Sequence, residues 1–159
     1  MAPQRTVTLV LVDPERRLGG VLPPFAAELP WWQECGDVVR LARELHGVEV
    51  AVLRLLRTEL PAMPGGHVDY IAEVDATTAA RLRGVLPEVV DELAALALGT
   101  EPRRAAYAEV GGPRASLDWA ARELDGLAGA EQQRSWNLSA LWRLTAADGR
   151  EAWLKQVPD

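Results

Sequence analysis

Apolar residues along the chain cluster in two rhythms, and the first half carries both. "TVTLVLVD" places Leu9, Val10, Leu11 and Val12 in an unbroken run. Apolar side chains on both faces predict an inner strand. "PERR" reads as a turn, and "LGGVLPPF" as a weaker returning strand that Pro23 and Pro24 end. "PWWQECGDVVRLARELHG" then changes period: Trp32, Cys35, Val38, Val39, Ala42 and Leu45 recur at three and four residues. That spacing predicts an amphipathic helix, with Glu34, Asp37, Arg40, Arg43 and Glu44 on its polar side and Gly47 as its stop. "VEVAVLRLLRT" predicts a second inner strand. "HVDYIAEVD" alternates, with Val68, Tyr70, Ala72 and Val74 on one face and His67, Asp69, Glu73 and Asp75 on the other. It predicts a strand with one wet face, Ile71 being the exception.

The second half turns helical. A short helix is predicted over 77–82, a longer one over 87–98 and a third over 113–127. The last has Leu117, Ala120, Ala121, Leu124 and Ala128 on its apolar stripe. Trp119 lies off that stripe and calls for a second contact. "AGAEQQRS" reads as a linker. From Ser135 onward, Trp136, Leu138, Ala140, Trp142 and Leu144 alternate, Asp148-Gly149 marks a turn, and "REAWLKQV" returns. On the return, Trp153, Lys155 and Val157 share one face and Ala152 and Leu154 the other. A lone two-stranded hairpin is marginal in water. This one is expected to dock through Trp136, Trp142 or Trp153 against the third helix or the main sheet, with Trp119 as a contact. The order of elements predicts an α+β fold. Its expected divisions are a core over 1–100, a linker and helix over 101–132, and a hairpin over 133–159.

Composition narrows the function. The 159 residues are 48% hydrophobic and 25% charged, ordinary values for a globular chain, and the formal net charge is -6. An acidic chain is not expected to take nucleic acid or an anionic membrane as its main partner. Cys35 is the only cysteine, and no run approaches a signal peptide or membrane span, so a cytoplasmic setting is expected. His67 and Asp69 offer the start of a metal site, but a solvent-facing strand surface is the simpler expectation. Cys35 falls on the apolar stripe and reads as a buried thiol. Lys155 is the only lysine.

The stretch "RSWNLSALWRLTAADGREAWLK" resembles the opening of the N-lobe in aminoglycoside-phosphotransferase-like kinases. Those begin with a strand, a short Asn/Ser nucleotide loop, a second strand, a turn, and a third strand ending in an aliphatic residue and lysine. By that resemblance the loop falls on Asn137, Leu138 and Ser139, and the lysine that pairs with ATP phosphates falls on Lys155. "VLVDPERRLGGVLPPF" through "PWWQ" and "HGVEVAVLRLL" also resembles the N-terminal extension of some bacterial members. Such a kinase needs catalytic and metal-binding acidic residues from a C-lobe, and these 159 residues leave no room for one.

A second resemblance lies in "ARELHGVEVAVLRLL". It is similar to the Nudix hydrolase layout, where a helix carrying Arg-Glu-Leu runs into Gly-Val and a strand. Arg43, Glu44, Leu45, Gly47 and Val48 match, while the family's Mg²⁺-binding pair of glutamates is missing. The resulting expectation is a Nudix-like mixed sheet with flanking helices, followed by the kinase-like hairpin. Alone, the chain is expected to be a non-catalytic accessory module without cofactor. ATP and Mg²⁺ would be required only when joined to a kinase C-lobe, and the partner would be that C-lobe or a small-molecule ligand. The alternative is a divergent Nudix-type hydrolase of nucleoside diphosphate derivatives.

Overall fold

The computed structural model describes residues 1–158 and is an α+β fold of two sheets and four α-helices. The larger sheet is built from β1 (Arg5–Val12), β2 (Leu18–Val21), β3 (Phe25–Ala27), β4 (Ala51–Thr58) and β5 (Gly66–Glu73). Its order is β2-β1-β5-β4, with β3 pairing the first half of β1 and β2 the second. β1 and β5 run parallel, and β4 lies antiparallel on β5.

Helix α1 (Gly36–His46) covers one face of this sheet. Val7, Leu9 and Leu11 of β1, with Val68, Tyr70 and Ala72 of β5, meet Val38, Val39 and Ala42 there. The alternate residues Val10, Val12, Leu53 and Ile71 form a second cluster with Leu93 and Ala97 of α3 (Asp91–Leu98). The expected wet face of β5 is largely closed: Ile71 and Asp69 are buried, and only His67 and Glu73 toward its ends are partly exposed. A strand between two neighbours, with a helix over part of each face, is buried despite its alternating polar residues. Helix α2 (Ala76–Leu82) begins as expected, and the Asp75 carboxylate caps it by accepting from the Thr78 N–H.

Three predicted boundaries move. α1 starts at Gly36, so Trp32 and Cys35 fill the core from the segment ahead of it, and Leu45 points outward. α3 starts at Asp91 rather than at residue 87, because the Pro87 carbonyl accepts a hydrogen bond from the Val21 N–H of β2. A carbonyl held by a strand edge lies in extended chain. α4 (Gly112–Glu123) ends early, where Asp125 and Gly126 adopt positive φ and reverse the chain. At the other end, a Cβ on Gly112 would stand 2.0 Å from the Ala106 carbonyl oxygen in the 3₁₀ turn Ala106–Ala108, so only glycine fits.

The expected hairpin is a three-stranded antiparallel meander: β6 (Leu127–Trp136), β7 (Ser139–Ala146) and β8 (Glu151–Gln156), in that order. "AGAEQQRS" is thus a strand and not a linker. Two register shifts, at Leu127/Gly129 and Gln132/Arg134, break its alternation. The meander's inner face carries Trp142, Leu144 and Leu154, which pack with Leu117 and Ala120 of α4 and with Leu124 just after it. Docking against the helix expected over 113–127, which is α4, therefore occurs through Trp142, while Trp136 packs on the main core. Trp119 and Trp153 make no such contact and are 50% and 60% exposed.

Polar groups join the two sheets. The Gln132 side chain is buried against the backbone of Val52, accepting from its N–H at 2.8 Å and donating to its carbonyl at 2.7 Å. One amide side chain thus stands in for a strand at the edge of β4. The Ser135 hydroxyl adds a 2.9 Å bond to the Leu53 carbonyl. On the other side of β6, Cys35 N–H donates to Gln133 and Ser135 N–H to Gln33. No helix among the described residues is long and apolar enough to cross a membrane.

Candidate functional site

The four residues singled out by the kinase resemblance lie at one end of the meander. Asn137 and Leu138 form the turn between β6 and β7, and Ser139 opens β7. Lys155 sits in β8 opposite Leu141. Ala140, Trp142 and Leu154 are buried, so alternation puts Ser139, Leu141, Trp153 and Lys155 on the outer face. Ser139 and Lys155 are diagonal neighbours there, about 7–8 Å apart at Cα by strand geometry. Asn137 and Lys155 are exposed and Ser139 is half-buried. Lys155 forms no ion pair among the described residues, whereas most arginines do. The arrangement leaves one exposed ammonium group and one hydroxyl on a single face, beside a turn whose Asn137 amide makes no hydrogen bond among the described residues.

The Nudix-like fragment fares differently. Glu44 is exposed on α1 and pairs with Arg40 at 2.8 Å. Arg43 pairs with Glu49. No group of three or more His, Cys, Asp or Glu side chains among the described residues is placed to hold a metal ion. One carboxylate committed to an arginine does not fit the oxygen-rich octahedral shell that Mg²⁺ requires.

The polar side chains of β5 converge on their neighbours. His67 Nε2 lies 2.9 Å from Thr8 Oγ1 and 3.1 Å from Asp69 Oδ1. The other Asp69 oxygen accepts from Arg57 Nε at 2.9 Å, and Arg57 also reaches Glu92 at 3.3 Å. The Asp69 hydrogen bond and charge hold the Arg57 guanidinium above its ordinary pKa. Because one imidazole nitrogen faces both the hydroxyl and the carboxylate, it cannot take a proton from Thr8 while donating to Asp69. A nucleophilic relay needs two different ring nitrogens for those tasks. Cys35 is no nucleophile either, since burial pushes its thiol up to about 12, with Arg5 only partly opposing the shift.

A groove of about 540 Å³ opens between β4, the loop after α3, the 3₁₀ turn and the β6–β7 turn. Leucines from β4 and α3, Tyr107 and Trp136 form its walls, and Arg54, Arg103, Arg104 and Asn137 reach into it. Sequence periodicity had no means to find it, because its lining comes from four separate elements. Arg54 Nη1 donates to Ala108 O at 3.0 Å and Nη2 to Ala97 O at 2.6 Å. Arg104 donates to Gly99 O at 2.8 Å and pairs with Glu109 at 2.9 Å. Arg16 reaches Glu109 at 3.7 Å. Guanidinium groups thus gather at the carbonyl end of α3, where the helix dipole favours them. Burial, together with the charge of Arg104, holds Arg54 down to about 10.

Comparison of the chain with protein-family models, curated proteins and solved structures finds no match.

Proposed function

We propose that this chain is the accessory domain and opening meander of an aminoglycoside-phosphotransferase-like kinase, and that it is a non-catalytic module on its own. In this reading Lys155 would neutralise ATP phosphates, and the turn Asn137–Leu138 with Ser139 would line the nucleotide. Phosphoryl transfer depends on positioning and on charge neutralisation by lysine, metal and acidic residues together. A C-lobe would supply the metal ligands and the catalytic aspartate. One observation carries the reading: strand, two-residue turn, strand, turn and strand follow each other in one antiparallel sheet, with Lys155, unpaired among the described residues, on the exposed face of the third.

Two measurements test it. The reading frame beyond Asp159, or a neighbouring frame, should encode a segment with a catalytic-loop aspartate and a metal-binding aspartate. Joined to that segment, the protein should turn over ATP, and Lys155→Ala should remove most of that turnover. Absence of any such segment, or full turnover by Lys155→Ala, rules the reading out.

A further inference from the structure

We propose that the groove between β4, α3 and the β6–β7 turn is a binding site for a small organic anion with a flat apolar body, such as an aromatic carboxylate or sulfonate. The volume, about 540 Å³, is that of a small-molecule site. Leu55, Leu56, Leu96 and Trp136 supply apolar wall, and Tyr107 is fixed in place by its hydroxyl bond to the Trp136 carbonyl at 2.8 Å.

Charge selects the sign of the ligand. Arg16, Arg54, Arg103 and Arg104 stand at or beside the groove against the carboxylates Glu101 and Glu109. Guanidinium groups therefore outnumber carboxylates in a molecule whose net charge is -6. Arg54 and Arg104 are held by backbone carbonyls, which fixes their direction, whereas Arg103 is exposed and forms no ion pair among the described residues. Fixed guanidinium groups beside one free to close over a ligand suit a planar carboxylate or sulfonate. Asn137 adds an amide whose side chain makes no hydrogen bond among the described residues. The groove borders the proposed nucleotide face and shares Asn137 with it, but neither Lys155 nor Ser139 lines it.

The probe is 1-anilinonaphthalene-8-sulfonate, followed by fluorescence and by amide chemical shifts on the intact chain. The neutral N-phenyl-1-naphthylamine serves as the comparison. Saturable one-site binding is expected, with amide shifts at Arg54, Arg104, Tyr107 and Asn137. Arg103→Glu should weaken the sulfonate about tenfold, the effect of reversing one charge beside a bound anion, and leave the neutral probe unchanged. Leu96→Glu, at an exposed wall position, should weaken both probes. Lys155→Ala should change neither, which separates failure of this site from failure of the kinase reading. Non-saturable binding, equal affinity for both probes, insensitivity to Arg103→Glu, or shifts confined to Trp153 and Leu138 would each overturn the proposal.

Discussion

Arg5 and Asp37, 32 residues apart, form an ion pair sealed from solvent, with side chains 0% and 4% exposed. Arg5 Nη2 lies 3.0 and 3.2 Å from the two Asp37 oxygens. Its Nη1 donates to the carbonyls of Trp31 and Glu34 and to the Tyr70 hydroxyl. Asp37 in turn accepts from the N–H groups of Glu28 and Leu29 at 2.8 Å. The pair thus fixes β1, the chain entering α1, and β5 to one another.

Removing one partner should be far worse than its surface counterparts. Asp37→Ala or Arg5→Ala leaves a buried charge without its partner and should cost about 3–5 kcal/mol. Arg40→Ala, which breaks only exposed pairs screened by solvent, should cost far less. Urea denaturation of the three variants checks the contrast, and equal losses would contradict it.

Asp13 should make stability depend on acid. Its carboxylate is buried in the turn after β1, where burial alone would raise its pKa. Hydrogen bonds from the Arg17 and Glu15 backbone and from the Arg17 guanidinium outweigh that and hold it below the ordinary carboxylate range. A depressed folded-state pKa adds stability above the unfolded value of about 3.9 and loses it as pH falls through the folded value. Asp13→Asn should therefore cost about 1–2 kcal/mol at pH 7, and the deficit should shrink below about pH 4. Thermal melts of both proteins from pH 2 to 7 test this.

Gln132 should be intolerant of small changes. Gln132→Leu strands the buried N–H and carbonyl of Val52 and should cost about 2 kcal/mol. Gln132→Glu, which cannot donate to the Val52 carbonyl as a carboxylate, should cost more. Hydrogen exchange at the Val52 amide should accelerate in both. Unchanged protection there would mean that the side chain contributes little.

Cys35 should be silent to thiol reagents in the native protein. Its raised pKa and burial leave almost no thiolate at pH 8, so labelling by a disulfide reagent should follow the unfolding rate. Fast stoichiometric labelling without denaturant would contradict its position.

Local pattern made much of this molecule readable. The apolar runs of β1 and β4 and the period of α1 are each written within a dozen residues, whereas Asp75, which reads as part of a strand face, caps α2 instead. What escaped was written across the chain. Asp37 carries a charge and reads as part of the polar side of α1, yet it is buried against Arg5 in the first strand. β6 reads as a linker because bulges interrupt it and because Gln132 and Ser135 are polar groups buried against another strand's backbone. Of the candidate site, the outward aim of Lys155 follows from alternation, whereas the turn at Asn137 interrupts what alternation reads as one strand and is pointed to only by the kinase resemblance. The arginine-lined groove depends on packing between β4, α3 and the meander, which no single window contains.

The amide of Gln132 also bears on where this polypeptide can be divided. Composition draws a border between residues 132 and 133, but that cut passes through the seam between the sheets. A fragment starting at 133 would forfeit most of its first strand, and the remaining piece would present the rim of β4 to water. Anyone isolating the last three strands should begin ahead of Leu127 and expect them to need α4 as a companion.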